Sequence, residues 1–195
     1  MNEQSLNSSN SLKTHVHGSI LKILQYAGIP VLGALLPVIR AGKLELYSLL
    51  CDELLIVFCY LLALSDLKTK RIPNRTVFAM LAVWVLVALP QIFIDTNQSI
   101  KQLIDSAIGS AMGGGLFLFV YLISRKGLGG GDVKFMAVAG LYLGYSSILP
   151  AMFCGTLLAM LTGIVLILAK KIGRQDTIPL VPFLAAGILI VLCFR

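Results

Sequence analysis

Six stretches of nearly unbroken apolar residues constrain this chain more than anything else in it. They lie at 51–65, 76–93, 103–124, 133–143, 147–169 and 178–194. A helix that crosses a bilayer satisfies its own backbone polar groups and needs about 20 mostly apolar residues. Composition agrees with that home: 57% of the residues are hydrophobic and 13% charged, with a mean hydropathy of +0.90. Soluble domains are roughly a quarter charged. The predicted fold class is all-α: a polytopic membrane bundle of six core transmembrane helices. A chain of 195 residues has no room for a second folded domain beside such a bundle.

Two runs need extension to reach a full crossing. The run at 133–143 grows through Asp132 and Gly144. The run before Asp66 is long enough if Asp52 and Glu53 sit at the far interface, so those two read as rim charges. Upstream, residues 1–18 are polar and rich in Ser and Asn, a composition that favours disorder. They are too polar for the hydrophobic region of a signal peptide. Residues 19–45 form an N-terminal hydrophobic segment of open topology. Its apolar part, 20–39, is either an uncleaved extra span or an interfacial helix bent by Pro30, Gly33 and Pro37. Residues 46–195 form the remaining membrane-embedded domain.

Charge placement tests this layout independently, because Lys and Arg concentrate in cytoplasmic loops. With one crossing per run, three basic clusters fall on one side. They are Lys68, Lys70, Arg71 and Arg75, then Arg125, Lys126 and Lys134, then Lys170, Lys171 and Arg174. Lys13 and Lys22 join them if 20–39 also spans, leaving Arg40, Lys43, Lys101 and Arg195 outside. The net charge of +7 therefore reflects topology and contact with anionic lipid. Nucleic-acid binding would need a basic soluble surface, which the sequence lacks.

The same layout puts Asp66 at the cytoplasmic end of one span and Asp132 at the cytoplasmic start of another. Carboxylates beside lipid are expensive and mark function by default. Two that meet suggest a pair sharing one proton and activating water. The flanking residues suit such a site. Gly127, Gly129, Gly130 and Gly131 remove side chains before Asp132, which permits positive φ and close approach of an extended substrate. Pro73 stops the helix after Asp66, and Asn74 is placed to cap a helix starting near Arg75. Lys134 either favours the charged form of Asp132 or, more simply, anchors the loop to lipid phosphates.

Three ordered motifs carry a family resemblance: Asp66 ahead of Ile72-Pro73-Asn74, Gly129-Gly130-Gly131-Asp132-Val133-Lys134, and Ile178-Pro179-Leu180-Val181-Pro182-Phe183-Leu184-Ala185-Ala186-Gly187. Together they resemble the type IV prepilin peptidases, the Gly-x-Gly-Asp intramembrane aspartic peptidases, from about Leu54 to the C-terminus. The resemblance implies an endopeptidase of the prokaryotic cytoplasmic membrane. It would cut the short basic leader from prepilin-like precursors at the cytoplasmic face, with Asp66 and Asp132 catalytic and no metal or organic cofactor. Gly129, Gly130, Gly131, Lys134, Pro73, Asn74, Pro179 and Pro182 are the supporting or substrate-binding candidates.

Departures from the family pattern matter as well. Larger relatives carry a zinc-binding insert with two Cys-x-x-Cys pairs and also N-methylate the trimmed pilin. Here Cys51, Cys59, Cys154 and Cys193 form no such pair, so neither zinc nor methyl transfer is expected. The cysteines read as buried apolar thiols. In this the chain is similar to the compact peptidases of tight-adherence (Flp) pili and archaeal flagellins.

The remaining polar residues carry less. His15 and His17 lie in the polar tail, and Asp95 and Asp105 flank an outer loop at 96–102 and read as solvated. Asp176 precedes the third motif. Gly109 and Gly113-Gly114-Gly115 suit tight helix packing, or a groove for a substrate helix. Presenilin-type peptidases are excluded by the absence of their Tyr-Asp and Pro-Ala-Leu motifs. The alternative from another class is a small proton-coupled transporter or channel subunit. That reading expects carboxylates near the bilayer midplane and an inverted repeat, neither of which the sequence offers.

Overall fold

In the computed structural model, residues 46–94, 96–124, 128–169 and 179–194 are described. Among them every regular element is an α-helix: α1 (Leu46–Thr69), α2 (Asn74–Ile94), α3 (Thr96–Ile123), α4 (Gly130–Leu168) and α5 (Val181–Phe194). Four of these, α1 to α4, are long and apolar enough to cross a membrane, and α5 is a shorter apolar helix. The segments at 1–18 and 19–45, with His15 and His17, lie outside the described residues, as do Asp95, Gly127 and Asp176.

The helix α4 is 39 residues long, which would measure about 58 Å if straight, nearly twice the thickness of a bilayer core. It is not straight. Gly144 breaks it with φ 70 and ψ 177, a region open in practice only to glycine. The break separates the two apolar runs at 133–143 and 147–169. Asp105, from the middle of α3, holds the far side of the break by accepting the Tyr145 N–H at 3.2 Å. This corrects the reading of Asp105 as a solvated loop residue. The stretch 96–102 is the helical start of α3, and Asp105 satisfies an amide that a helix N-terminus would otherwise leave open.

α4 packs along α3 with its first half and against α5 with its second. Glycines set these approaches. A Cβ on Gly113 would stand 2.6 Å from the Met136 carbonyl, and one on Gly114 2.7 Å from the Ala137 Cβ. Gly109 faces Gly140 backbone to backbone, and Gly187 of α5 sits directly on Gly155 of α4. Small residues let bilayer helices gain dispersion contact where no hydrophobic force exists between them. Gly115 meets nothing within 4 Å, so the packing role covers three of the four α3 glycines.

The interior contains Leu55, Leu62, Met80, Phe135, Leu184 and Ile188, all without exposure. Apolar side chains such as Phe78, Phe119, Phe153 and Leu168 point outward instead, as they should where lipid is the solvent. The Tyr142 hydroxyl donates to the Met80 carbonyl at 2.7 Å and ties α4 to α2. The α2–α3 join is closed by hydroxyls, with Ser99 donating to the Gln91 carbonyl at 2.7 Å and Thr96 to that of Ile92 at 3.1 Å.

Candidate active site

Asp66 lies in the last turn of α1 and Asp132 in the first turn of α4. Asp66 is only 6% exposed, although it stands beside a basic loop. The two carboxyls come within electrostatic reach of each other, although 66 positions separate them in the chain. Three local arrangements bring them to one end of the bundle.

The first is the exit from α1. Lys70 adopts a left-handed φ of 50, and its N–H bonds to the Asp66 carbonyl at 2.8 Å, which ends the helix. The Thr69 hydroxyl donates to the Ser65 carbonyl at 2.9 Å. Pro73 then accepts the N–H groups of Thr76 and Val77 at 3.1 and 3.4 Å and starts α2 with its carbonyl. Asn74 is already helical, so its side chain does not cap α2 as expected. Its Oδ1 instead accepts from Lys134 Nζ at 3.2 Å. The Lys134 ammonium thereby joins the second motif to the first, a role the sequence reading did not foresee.

The second is the entry to α4. Gly129 is extended, at φ -80 and ψ 139, and is the N-cap. Its N–H donates to Asp132 Oδ2 at 3.1 Å, and its carbonyl accepts the Asp132 N–H at 3.1 Å. Having no side chain, Gly129 supplies only the backbone part of a capping box. The expected positive φ is not used at Gly129, Gly130 or Gly131. Close approach is what they provide. A Cβ on Gly131 would lie 2.8 Å from that of Ile72, so the two motifs touch there. Gly130 meets nothing within 4 Å, leaving an open face beside Asp132.

The third is the N-terminus of α5. Leu180 is its cap, accepting the Phe183 and Leu184 N–H groups at 3.1 Å each. The Val181 N–H donates to Asp66 Oδ2 at 3.1 Å across 115 positions of chain. Pro182 occupies the first turn of the helix, where a missing N–H costs nothing, and Pro179 precedes the cap. Sequence reasoning missed Val181 because its contribution is a backbone amide. The Pro-x-x-Pro spacing was the available signal for a helix N-terminus.

A second polar region lies at the opposite end of α1. Tyr47, Cys51, Asp52, Gln102, Asp105 and Tyr142 line a pocket of about 70 Å³ there. Asp52 is 3% exposed, which corrects its reading as a rim charge. Cys51 and Cys59 are buried, but Cys154 is half-buried and Cys193 exposed, so the expectation of buried thiols holds for only two of the four. Among the described residues no group of three or more His, Cys, Asp or Glu side chains is arranged to hold a metal ion.

Residues 54–168, which contain both aspartate motifs, match the model of the type IV leader peptidase family. The chain belongs to that family. It is similar to the prepilin leader peptidase/N-methyltransferase of Pectobacterium carotovorum, with 32% identity over 176 residues, 84% of this chain and 58% of the relative. The Bacillus subtilis protein of the same name is 30% identical over 154 residues, 76% of this chain and 56% of its own. That of Escherichia coli is 26% identical over 185 residues, 90% and 77% respectively. The chain spans about half the length of most of the curated relatives it matches. No solved structure matches it. With its apolar helices, this leader peptidase relative is a multi-pass membrane protein. The third motif, at 178–187, lies beyond the part of the chain that the family model covers.

Proposed function

We propose that this chain is an intramembrane aspartic endopeptidase acting on type IV prepilin-like, or Flp- or archaellin-like, precursors. The observation that carries the reading is the convergence of Asp66 and Asp132, from two helices separated by two others in the chain, at one end of the bundle. Two neighbouring carboxyls share a proton more easily than both ionise. The ionised member takes a proton from water, and the resulting hydroxide adds to the scissile carbonyl carbon. The protonated member gives its proton to the carbonyl oxygen. Collapse of the tetrahedral diol breaks the C–N bond as one of its hydroxyls returns a proton to the member that gave one, and the proton gained from water passes to the leaving amine. The pair acts as one unit, and its titration belongs to the pair.

The break at Gly144 supports six crossings, with α4 contributing two and α5 the last. That topology leaves the Asp66 and Asp132 ends beside Lys68, Lys70, Arg71 and Lys134, on the cytoplasmic side by the positive-inside rule. A basic leader would be retained on that side for the same reason. The substrate's leader would reach the carboxyls past Gly130, where no side chain stands in the way. The spacing of the four cysteines, none in a Cys-x-x-Cys pair, supports peptide cleavage without methyl transfer.

The test is cleavage of a prepilin-type substrate in liposomes by wild type, Asp66→Asn and Asp132→Asn. Asn preserves shape but cannot exchange the proton. Each variant is expected to lose about a hundredfold to ten-thousandfold in kcat while remaining folded. Cleavage surviving in either variant would remove that residue from the chemistry.

A further inference from the structure

Building on the aspartic peptidase reading, we infer that the third motif, Pro179-Leu180-Val181-Pro182, is a positioning device for Asp66. It would aim one backbone amide at the carboxylate from outside the helix that carries it. A helix N-terminus leaves its first N–H groups without intrahelical partners. In α5 those groups belong to Val181, Pro182, Phe183 and Leu184. Phe183 and Leu184 turn back to the Leu180 carbonyl, and Pro182 has no N–H to offer. That leaves Val181, whose amide meets Asp66 Oδ2 at 3.1 Å. The Leu180 backbone also faces this carboxylate.

The surroundings make the contact count. Val181 is fully buried and Asp66 nearly so, so this contact is shielded from bulk water. A hydrogen bond to a charged group is stronger than a neutral one, and stronger again in a low-dielectric site. Asp132 is held differently, by the amide of Gly129 at the start of its own helix. Its orientation is therefore local, whereas that of Asp66 depends on a helix 115 positions away. Pro179 and Pro182 act through this arrangement. They fix the first turn of α5 and remove a competing donor, without touching the reacting atoms.

The test replaces the Val181 amide by an ester, through incorporation of the α-hydroxy analogue of valine. This deletes the N–H and keeps the side chain. Val181→Pro is the encoded counterpart, since the first helical position accepts proline. Ile188→Ala, two turns along the same buried face, serves as the structural control. Prepilin cleavage and thermal unfolding are measured on the full chain. The ester and Val181→Pro are expected to lower kcat about tenfold with KM within about twofold of wild type. Their loss of melting temperature should be smaller than that of Ile188→Ala, which should keep its kcat. Wild-type kcat in the ester variant overturns the inference and leaves the peptidase reading intact. A kcat loss that merely tracks melting temperature across all three variants also overturns it, in favour of a structural role. A wild type that cleaves no prepilin-type substrate removes the peptidase reading and this inference with it.

Discussion

The Lys134–Asn74 hydrogen bond is a long-range polar contact on an exposed face. In water such a contact is worth about 1 kcal/mol. Its importance lies in what it connects, because Asn74 follows the loop after Asp66 and Lys134 stands two residues beyond Asp132. Breaking it frees two loops rather than one. Lys134→Met and Asn74→Ala are each expected to lower kcat/KM about fivefold, and the double variant should be no worse than either single one. Additive losses in that cycle would mean that the two residues act separately. Both were legible in the sequence as members of motifs, but their partnership was not. A lysine beside a carboxylate on paper pairs with it. Here the first turn of α4 aims Asp132 back at its own cap and leaves Lys134 to find the amide oxygen across the gap.

Among the elements, α4 is the one whose shape sequence reading could only half anticipate. Two apolar runs flanking Gly144 were visible, yet many glycines interrupt helices without breaking them. Gly144 breaks α4 because Asp105 fills the space where a Cβ would go and accepts the next amide. That contact is tertiary, and Asp105 looked like an ordinary loop acid as long as α3 was started at 103. Gly144→Ala is expected to cost about 3 kcal/mol through strain and collision combined. Asp105→Ala should cost about 1 kcal/mol for the orphaned Tyr145 amide, and Asp105→Asn should recover most of that through its amide oxygen. Melting temperatures in detergent measure all three. If the Gly144 variant melted with wild type, α4 would have to pass this point some other way.

For the whole molecule, the coarse outline was written in hydrophobicity and charge: helical, membrane-embedded, basic at the end where both aspartates lie. Asp52 escaped that reading for a physical reason. An acid near the start of a span looks like an interface residue, and only the packing of α1 against its neighbours buries it. Topology itself is directly measurable. With the four cysteines replaced, single cysteines at Thr69 and Ser124 should react with a membrane-impermeant maleimide only from the cytoplasmic side. One at Gln98 should react only from the other. Labelling of Thr69 only from outside and of Gln98 only from the cytoplasm would reverse the assignment of the active end, and labelling of both from one side would mean that α2 does not cross.

The amide that meets Asp66 also has a history in time. It is made 115 residues after its acceptor, an interval of roughly 6 to 23 seconds at ordinary rates of translation. Asp132 is made part-way through that interval, and from then until Val181 is made the contact that would orient Asp66 does not yet exist. Alignment of the proposed site thus waits for α5, and a nascent chain that lacks this helix would have no aligned site with which to cut proteins being inserted nearby.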